Sequence, residues 1–116
     1  MQTIGLAELL ALLNVGAPTL IEALPAAHFD AGHLPGALNV PGNLTADLAG
    51  WLVPNRSTTV VVYCSGLGCN RSRVTAAAFI RLGYTDVRLY PGGKSDWVAA
   101  GLPVEPTDAK RVEAAA

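Results

Sequence analysis

The chain of 116 residues is long enough for one domain with a substantial hydrophobic core and too short for two such domains. Hydrophobic residues make up 51% of the chain and charged residues 15%, a composition that excludes a disordered polymer. The net charge of -1 provides no overall attraction to nucleic acid or to a membrane surface, so we expect neither as a partner.

The first half of the chain alternates short apolar segments with breakers. Helical periodicity predicts a first helix over residues 4–14, with Thr3 as its N-cap and Gly16 beyond its end. The elements predicted after it, in chain order, are a strand at 19–23, a helical turn at 26–31, a turn at 32–36, a short strand at 37–40 and a helix at 44–53.

The second half carries the strongest strand signal, a run of β-branched residues at 58–63. The elements predicted after it are a glycine-rich loop, a helix at 74–82 that ends before Gly83, a strand at 87–90, a turn at 91–93 and a helix at 95–100. Residues 101–105 either pack back on the domain or trail away from it, and residues 107–116 are expected to form a flexible tail. Residues 1–106 are therefore predicted to form one α/β domain, with a parallel sheet and helices on both faces.

Cys64 is the residue with the clearest chemical signal, because it ends the 58–63 strand and opens the loop before the next helix. We name this segment, residues 64–72, the Cys64 loop. Backbone N–H groups and the helix dipole at a helix N-terminus favour an anion, so we predict a lowered pKa for Cys64 and a nucleophilic thiolate. A buried, inert thiol is the alternative.

Cys69 lies in the same loop and has two interpretations. It is either a resolving thiol that forms a disulfide with Cys64 or a side chain that only fills space. Arg71 is a candidate cation for an anionic substrate, within a segment between Arg56 and Lys94 that holds six cations and one acid. Asn70 and Ser72 are predicted caps for the following helix.

Four residues outside this loop also receive predictions. Glu22 ends an earlier strand at the same sheet edge, where it either orients the Cys64 loop or binds an acceptor. His33 is expected to hold a backbone carbonyl through a ring N–H group. Trp51 and Trp97 are expected to be packing anchors.

The sequence also leads to predictions about cellular location and about metals and cofactors. The first residues carry no cationic segment before their apolar stretch, so we expect no secretory signal. No apolar run approaches the roughly 20 residues of a membrane-spanning helix. Two cysteines in such a chain indicate a reducing cytoplasm, and the scattered cysteines and histidines predict no metal and no cofactor.

These motifs resemble the single-domain rhodanese (thiosulfate sulfurtransferase-like) family over roughly residues 6–105. Residues 32–41 (GHLPGALNVP) are similar to the first signature of that family, and residues 61–64 (VVYC) are similar to its active-site strand. The segments that resemble its C-terminal half are residues 82–84 (LGY), Val87, Gly92-Gly93 with Trp97, and residues 100–104 (AGLPV).

The resemblance implies a rhodanese-like fold with a central parallel sheet of about five strands, and it implies sulfur transfer. A Cys64 thiolate would take the outer sulfur of thiosulfate or a similar donor as a persulfide, and cyanide, a thiol or a sulfur-relay protein would remove it. Gly66 and Gly68 would allow the backbone N–H groups to converge on that sulfur. The residues implied to bind substrate or persulfide are Ser65, Gly66, Leu67, Gly68, Cys69, Asn70, Arg71 and Ser72.

The chain departs from the family pattern at three positions, which keeps other functions open. Six residues separate Cys64 from Arg71, a loop longer by two than the common one and similar in that respect to loops of dual-specificity phosphatases and arsenate reductases. Cys69 occupies the position of the usual arginine, and residues 22–24 (EAL) replace an Asp-x-Arg motif. The alternatives are therefore a phosphatase or arsenate reductase, a Cys64/Cys69 thiol redox protein, and a non-catalytic binding module.

Overall fold

A five-stranded sheet, parallel throughout, forms the centre of the computed structural model, which describes residues 1–107. The strands are β1 (Gln2–Thr3), β2 (Pro18–Glu22), β3 (Leu38–Asn39), β4 (Thr59–Tyr63) and β5 (Asp86–Leu89). Their order in the sheet is β1-β5-β4-β2-β3. The helices are α1 (Leu6–Asn14), α2 (Ala26–Ala31), α3 (Ala46–Leu52), α4 (Arg71–Arg81) and α5 (Gly93–Ala99).

The central strand β4 is apolar on both sides because both faces of the sheet are covered. Val60 and Val62 pack into a core on one face, where α3 and α4 contribute Ala49 and Phe79. The alternate residues of β4 point to the other face, where α1 and α5 contribute Leu9 and Trp97. The predicted α/β architecture, with helices on both faces of a parallel sheet, is confirmed.

The N-terminal strand is the main element that the sequence did not predict. β1 is two residues long and pairs with β5 through the partners Gln2↔Arg88 and Thr3↔Leu89. Because Thr3 belongs to this strand, its prediction as an N-cap is wrong; Gly5 occupies that position without a side-chain hydrogen bond. A pairing of two residues produces no periodic pattern, so only the contact with β5 reveals it.

The segment after α5 packs back on the domain. His33 and Glu105 form an isolated antiparallel bridge, with backbone N···O distances of 3.0 and 2.9 Å. Thr107 donates its backbone N–H to the carbonyl oxygen of Asp30 at 3.0 Å, so this residue is attached to the domain. The rest of the predicted tail, residues 108–116, lies outside the described residues.

Two of the structural predictions are confirmed and one is wrong. His33 Nδ1 lies 2.9 Å from the carbonyl oxygen of Phe29, as expected for a ring that holds a turn. Trp97 is buried and donates its indole N–H to the carbonyl oxygen of Pro103 at 2.8 Å. Trp51 is 83% exposed, because it lies on the face of α3 that points away from the core.

Within residues 1–107, none of the helices has the length and apolar character needed to cross a membrane.

Tyr84 provides a test of the packing of α3 against the sheet. Its buried side chain contacts Phe79 edge-on, and its hydroxyl donates to the carbonyl oxygen of Val53 at 2.5 Å, just beyond the end of α3. We expect Tyr84→Phe to lower the free energy of unfolding by about 1–2 kcal/mol, because a buried carbonyl loses its partner. Urea unfolding measures this change, and an unaltered midpoint would contradict this account of the contact.

Candidate active site

The sulfur of Cys64 lies at the carboxyl end of β4, buried beneath the Cys64 loop. The residue is 2% exposed, and its Sγ is 3.1 Å from the hydroxyl oxygen of Ser72. The same Sγ is 3.6 Å from the carbonyl oxygen of Cys69. Since α4 begins at Arg71, the end of the loop forms the first turn of that helix and directs the Ser72 hydroxyl at Cys64.

Helix α5 fixes the start of the loop through its backbone. Lys94 donates its N–H to the carbonyl oxygen of Cys64 at 2.9 Å, and Ser95 donates its N–H to the carbonyl oxygen of Ser65 at 2.8 Å. These N–H groups belong to the first turn of the helix, where no intrahelical partner is available. The loop carbonyls therefore accept the hydrogen bonds of these free N–H groups, and the helix in turn sets the position of Cys64.

Gly93 makes this close approach possible. Its φ of +61° is a conformation that favours glycine, and a Cβ atom there would lie 2.5 Å from the carbonyl oxygen of Cys64. The same Cβ would lie 2.9 Å from the backbone nitrogen of Gly66. No side chain fits at this position without moving either the loop or the helix.

Glu22 lies below this contact and is fully buried. The hydroxyl of Tyr63 donates to Glu22 Oε1 at 2.7 Å, and Lys94 Nζ lies 3.1 Å from Oε1 and 3.2 Å from Oε2. Burial, together with the negative charge of Glu22, raises the pKa of Tyr63, so the hydroxyl remains a donor at physiological pH. This placement suits the role of orienting the loop, because solvent does not reach the Glu22 carboxylate.

Cys69 lies at the surface side of the same loop. It is half-buried, and its N–H donates to the carbonyl oxygen of Gly66 at 3.1 Å in a tight turn. A cavity of about 590 Å³ opens above it, between the loop and α5. The residues that line this cavity are Ser65, Gly66, Leu67, Gly68, Cys69, Gly92, Ser95, Asp96 and Ala99.

The two thiols of the loop have opposite pKa shifts. Burial raises the pKa of Cys64 and the side chain of Cys69 raises it further, whereas the hydroxyl and the backbone N–H of Ser72 lower it without cancelling the shift. Partial burial also opposes ionisation of Cys69, but hydrogen bonds outweigh it and lower the pKa to about 7. The donors are the Cys64 thiol, the backbone N–H groups of Arg71 and Ser65, and the Ser65 hydroxyl.

The prediction of a lowered pKa for Cys64 is therefore wrong for the protein with both thiols reduced. The loop does supply backbone donors, but the N–H groups of Arg71 and Ser65 lower the pKa of Cys69 and not that of Cys64. Cys64 lies deeper, where loss of solvation outweighs the contribution of Ser72.

The other predicted residues of the loop occupy different surroundings. Arg71 is exposed and lines a second cavity, of about 360 Å³, with Asn43 and Thr75 among its neighbours. Its role as the cation for an anionic substrate stays a prediction. Asn70 occupies the N-cap position of α4, but its side chain makes no capping hydrogen bond, so the prediction of a side-chain cap is wrong.

Gly93 and Lys94 are the positioning residues that sequence reasoning did not identify. The sequence predicts a turn at Gly93 and indicates for Lys94 only a share of the local positive charge. The one available signal is the glycine pair between the last strand and the last helix, which is typical of a close backbone contact. In the part of the chain that the structure describes, no group of three or more His, Cys, Asp or Glu side chains could hold a metal ion.

Comparison with known proteins identifies the family to which this fold and sequence are similar. Residues 5–100 match the sequence model of the rhodanese-like domain family. An HTH-type transcriptional regulator, Rv0324 of Mycobacterium tuberculosis, is 35% identical over 99 residues, which cover 85% of this chain and 42% of the regulator. The 3-mercaptopyruvate sulfurtransferase of Escherichia coli K12 is 37% identical over 115 residues, covering 75% of this chain and 39% of the enzyme.

A solved structure supports the same grouping. The human single-domain sulfurtransferase TSTD1 superposes with a TM-score of 0.71 at 26% identity, covering 85% of this chain and 96% of that protein. The chain belongs to the rhodanese-like domain family, and its five-stranded parallel sheet is the fold of that family. It spans about two fifths of the length of the curated relatives that it matches.

Gly93→Ala tests the contact between α5 and the loop. We expect it to lower the free energy of unfolding by about 1–3 kcal/mol more than Gly16→Ala does, because the new methyl group must displace the Cys64 carbonyl. Gly16 is the matched control, since its φ of +67° imposes the same backbone strain and a Cβ there would have nothing within 4 Å. Equal losses in chemical denaturation would show that α5 and the loop are not in the contact described.

Proposed function

We propose that this domain is a sulfurtransferase that carries a sulfane sulfur on Cys64. The donor is thiosulfate or a related anion, such as the 3-mercaptopyruvate named for one relative, and the acceptor is cyanide or a thiol, including a thiol of a sulfur-relay protein. The observation that supports the proposal is the position of Cys64 at the carboxyl end of the central strand of a rhodanese-like domain, where the Cys64 loop leads into α4.

The first half-reaction converts the Cys64 thiol to a persulfide. The Cys64 thiolate attacks the outer sulfur of thiosulfate, a new S–S bond forms, and sulfite leaves with the electron pair of the old S–S bond. We propose that backbone N–H groups of the Cys64 loop then turn to the terminal sulfur and stabilise its negative charge. The Ser72 hydroxyl, 3.1 Å from Cys64 Sγ, donates to that sulfur whenever it is ionised.

The second half-reaction returns the enzyme to its thiol form. Cyanide or an acceptor thiolate attacks the terminal sulfur, and the Cys64 thiolate leaves with the electron pair of the persulfide bond. The contacts of α5 with the Cys64 and Ser65 carbonyls keep the nucleophile in one position through both steps. We propose that Arg71, which is exposed in the first turn of α4, attracts the anionic donor by its positive charge.

Replacing the nucleophile is the direct test of this function. We expect Cys64→Ser to lower the rate of thiocyanate formation from thiosulfate and cyanide by about a thousandfold or more, because a serine hydroxyl cannot form the persulfide. Tyr84→Phe serves as the control, since its lost hydrogen bond lies at α3 and away from the loop. Full activity in Cys64→Ser would sink the proposal, and so would Cys64-dependent turnover of a phosphate ester or arsenate in the absence of sulfur transfer.

The pH dependence of the first half-reaction follows from the direction of the Cys64 pKa shift. Because burial and the contact with Cys69 raise the pKa of Cys64, its thiolate is a minor form at pH 7 and its fraction increases with pH. We therefore expect kcat/KM for thiosulfate to increase steadily from pH 7 to pH 9. In Cys69→Ser the increase should begin at lower pH, since one cause of the shift is removed, and a plateau from pH 7 upward in the native protein would contradict the assignment.

A further inference from the structure

We infer a second activity of the Cys64 loop: thiol–disulfide exchange with small disulfides, in which Cys69 is the attacking thiol and Cys64 is the resolving thiol. This activity goes beyond sulfur transfer and reverses the roles that the sequence suggests for the two cysteines. It depends on the two thiols alone and requires no persulfide.

The first observation is the difference in access. Cys69 lines the cavity of about 590 Å³ between the loop and α5, which opens to solvent. Cys64 is 2% exposed and is not among the residues that line this cavity. A disulfide that enters from solvent therefore meets the sulfur of Cys69 first.

The second observation is the set of donors around Cys69. Partial burial opposes ionisation of Cys69, but hydrogen bonds from the Cys64 thiol, from the N–H groups of Arg71 and Ser65 and from the Ser65 hydroxyl lower its pKa to about 7. A thiol with this pKa is about half ionised at neutral pH, and thiols with a pKa near the ambient pH attack disulfides most effectively. Burial raises the pKa of Cys64, so its thiol is mainly protonated at neutral pH.

The third observation is the proximity of Cys64 to Cys69. The sulfur of Cys64 lies 3.6 Å from the backbone carbonyl oxygen of Cys69. A disulfide has an S–S distance of roughly 2.0 Å, so the loop must close further before the bond forms. The loop has room for this movement, because Leu67 is 83% exposed and a Cβ at Gly68 would have nothing within 4 Å.

The exchange balances without a further reactant. The Cys69 thiolate attacks one sulfur of a disulfide R–S–S–R, forms a mixed disulfide, and releases one R–S⁻ group. Cys64 transfers its proton to a thiolate or to solvent and attacks the sulfur of Cys69, which releases the second R–S⁻ group. The protein has then lost two electrons to the small disulfide, and a small dithiol returns it to the reduced form by the reverse steps.

One consequence concerns the proposed function and rests on it. A Cys64–Cys69 disulfide removes the thiol that would receive sulfur. Oxidised protein is therefore expected to take up no sulfur from thiosulfate until a dithiol has reduced it.

Glutathione disulfide is the probe for the test. Reduced protein is treated with it at pH 7.5 and examined by intact mass and peptide mapping. We expect native protein to lose two hydrogens and to contain a Cys64–Cys69 disulfide. Cys64→Ser should retain one glutathionyl group on Cys69, because no resolving thiol remains, and Cys69→Ser should react at least about tenfold more slowly through the buried Cys64.

Two results would overturn the inference. One is that glutathione disulfide reacts with Cys64 before Cys69 in the native protein. The other is that Cys69 stays unmodified in a Cys64→Ser protein whose circular dichroism is native. A second measurement follows the rate of adduct formation on Cys69 as a function of pH. We expect this rate to rise through about pH 7 and then to level off. Sulfur uptake on Cys64 without exchange at Cys69 would refute this inference and leave the sulfurtransferase proposal standing. Exchange without sulfur uptake in reduced protein would refute the proposed function alone.

Discussion

The contact between the first turn of α5 and the Cys64 loop is the constraint on which the rest of the site depends. Two backbone N–H groups of α5 donate to the carbonyls of Cys64 and Ser65, and Gly93 lets the two backbones approach. Beneath them the buried carboxylate of Glu22 accepts from Tyr63 and Lys94. A buried carboxylate is costly without such partners, so the strands β2 and β4 and the helix α5 are fixed relative to one another by this group. The position of Cys64 is therefore fixed by the core of the domain.

The Cys64 loop shifts the pKa values of its two thiols in opposite directions, because two opposing effects balance differently at each sulfur. Converging N–H groups stabilise a thiolate, whereas burial removes the water that would solvate it. At Cys64 burial dominates, and at Cys69 the donors dominate because the side chain is only half-buried. The Cys64 loop thus contains a buried thiol at its start and a second thiol that lines the neighbouring cavity. Sulfur transfer and disulfide exchange would compete for Cys64, which couples the proposed activity to the redox state of the protein.

Local patterns in the sequence were sufficient for much of the fold. The β-branched run of β4 and the glycine after α4 each act within a few residues, so both were predictable, and Gly83 does have a positive φ of 95°. The pairing of β1 with β5 and the ion pair of Glu22 with Lys94 join residues far apart in the chain. Such pairs leave no periodic signal. The order of the two thiol pKa values could not be predicted from the sequence either. It depends on how deeply each sulfur is buried, which only the folded loop determines.

Locating the transferred sulfur is the measurement that tests the central claim most directly. Fully reduced protein would receive one equivalent of thiosulfate and be digested under conditions that preserve persulfides, followed by mass analysis of the peptide that contains the Cys64 loop. The account predicts one additional sulfur atom on Cys64, with sulfite released in equal amount. Sulfur found on Cys69 instead, or an unmodified peptide from folded and reduced protein, would contradict it.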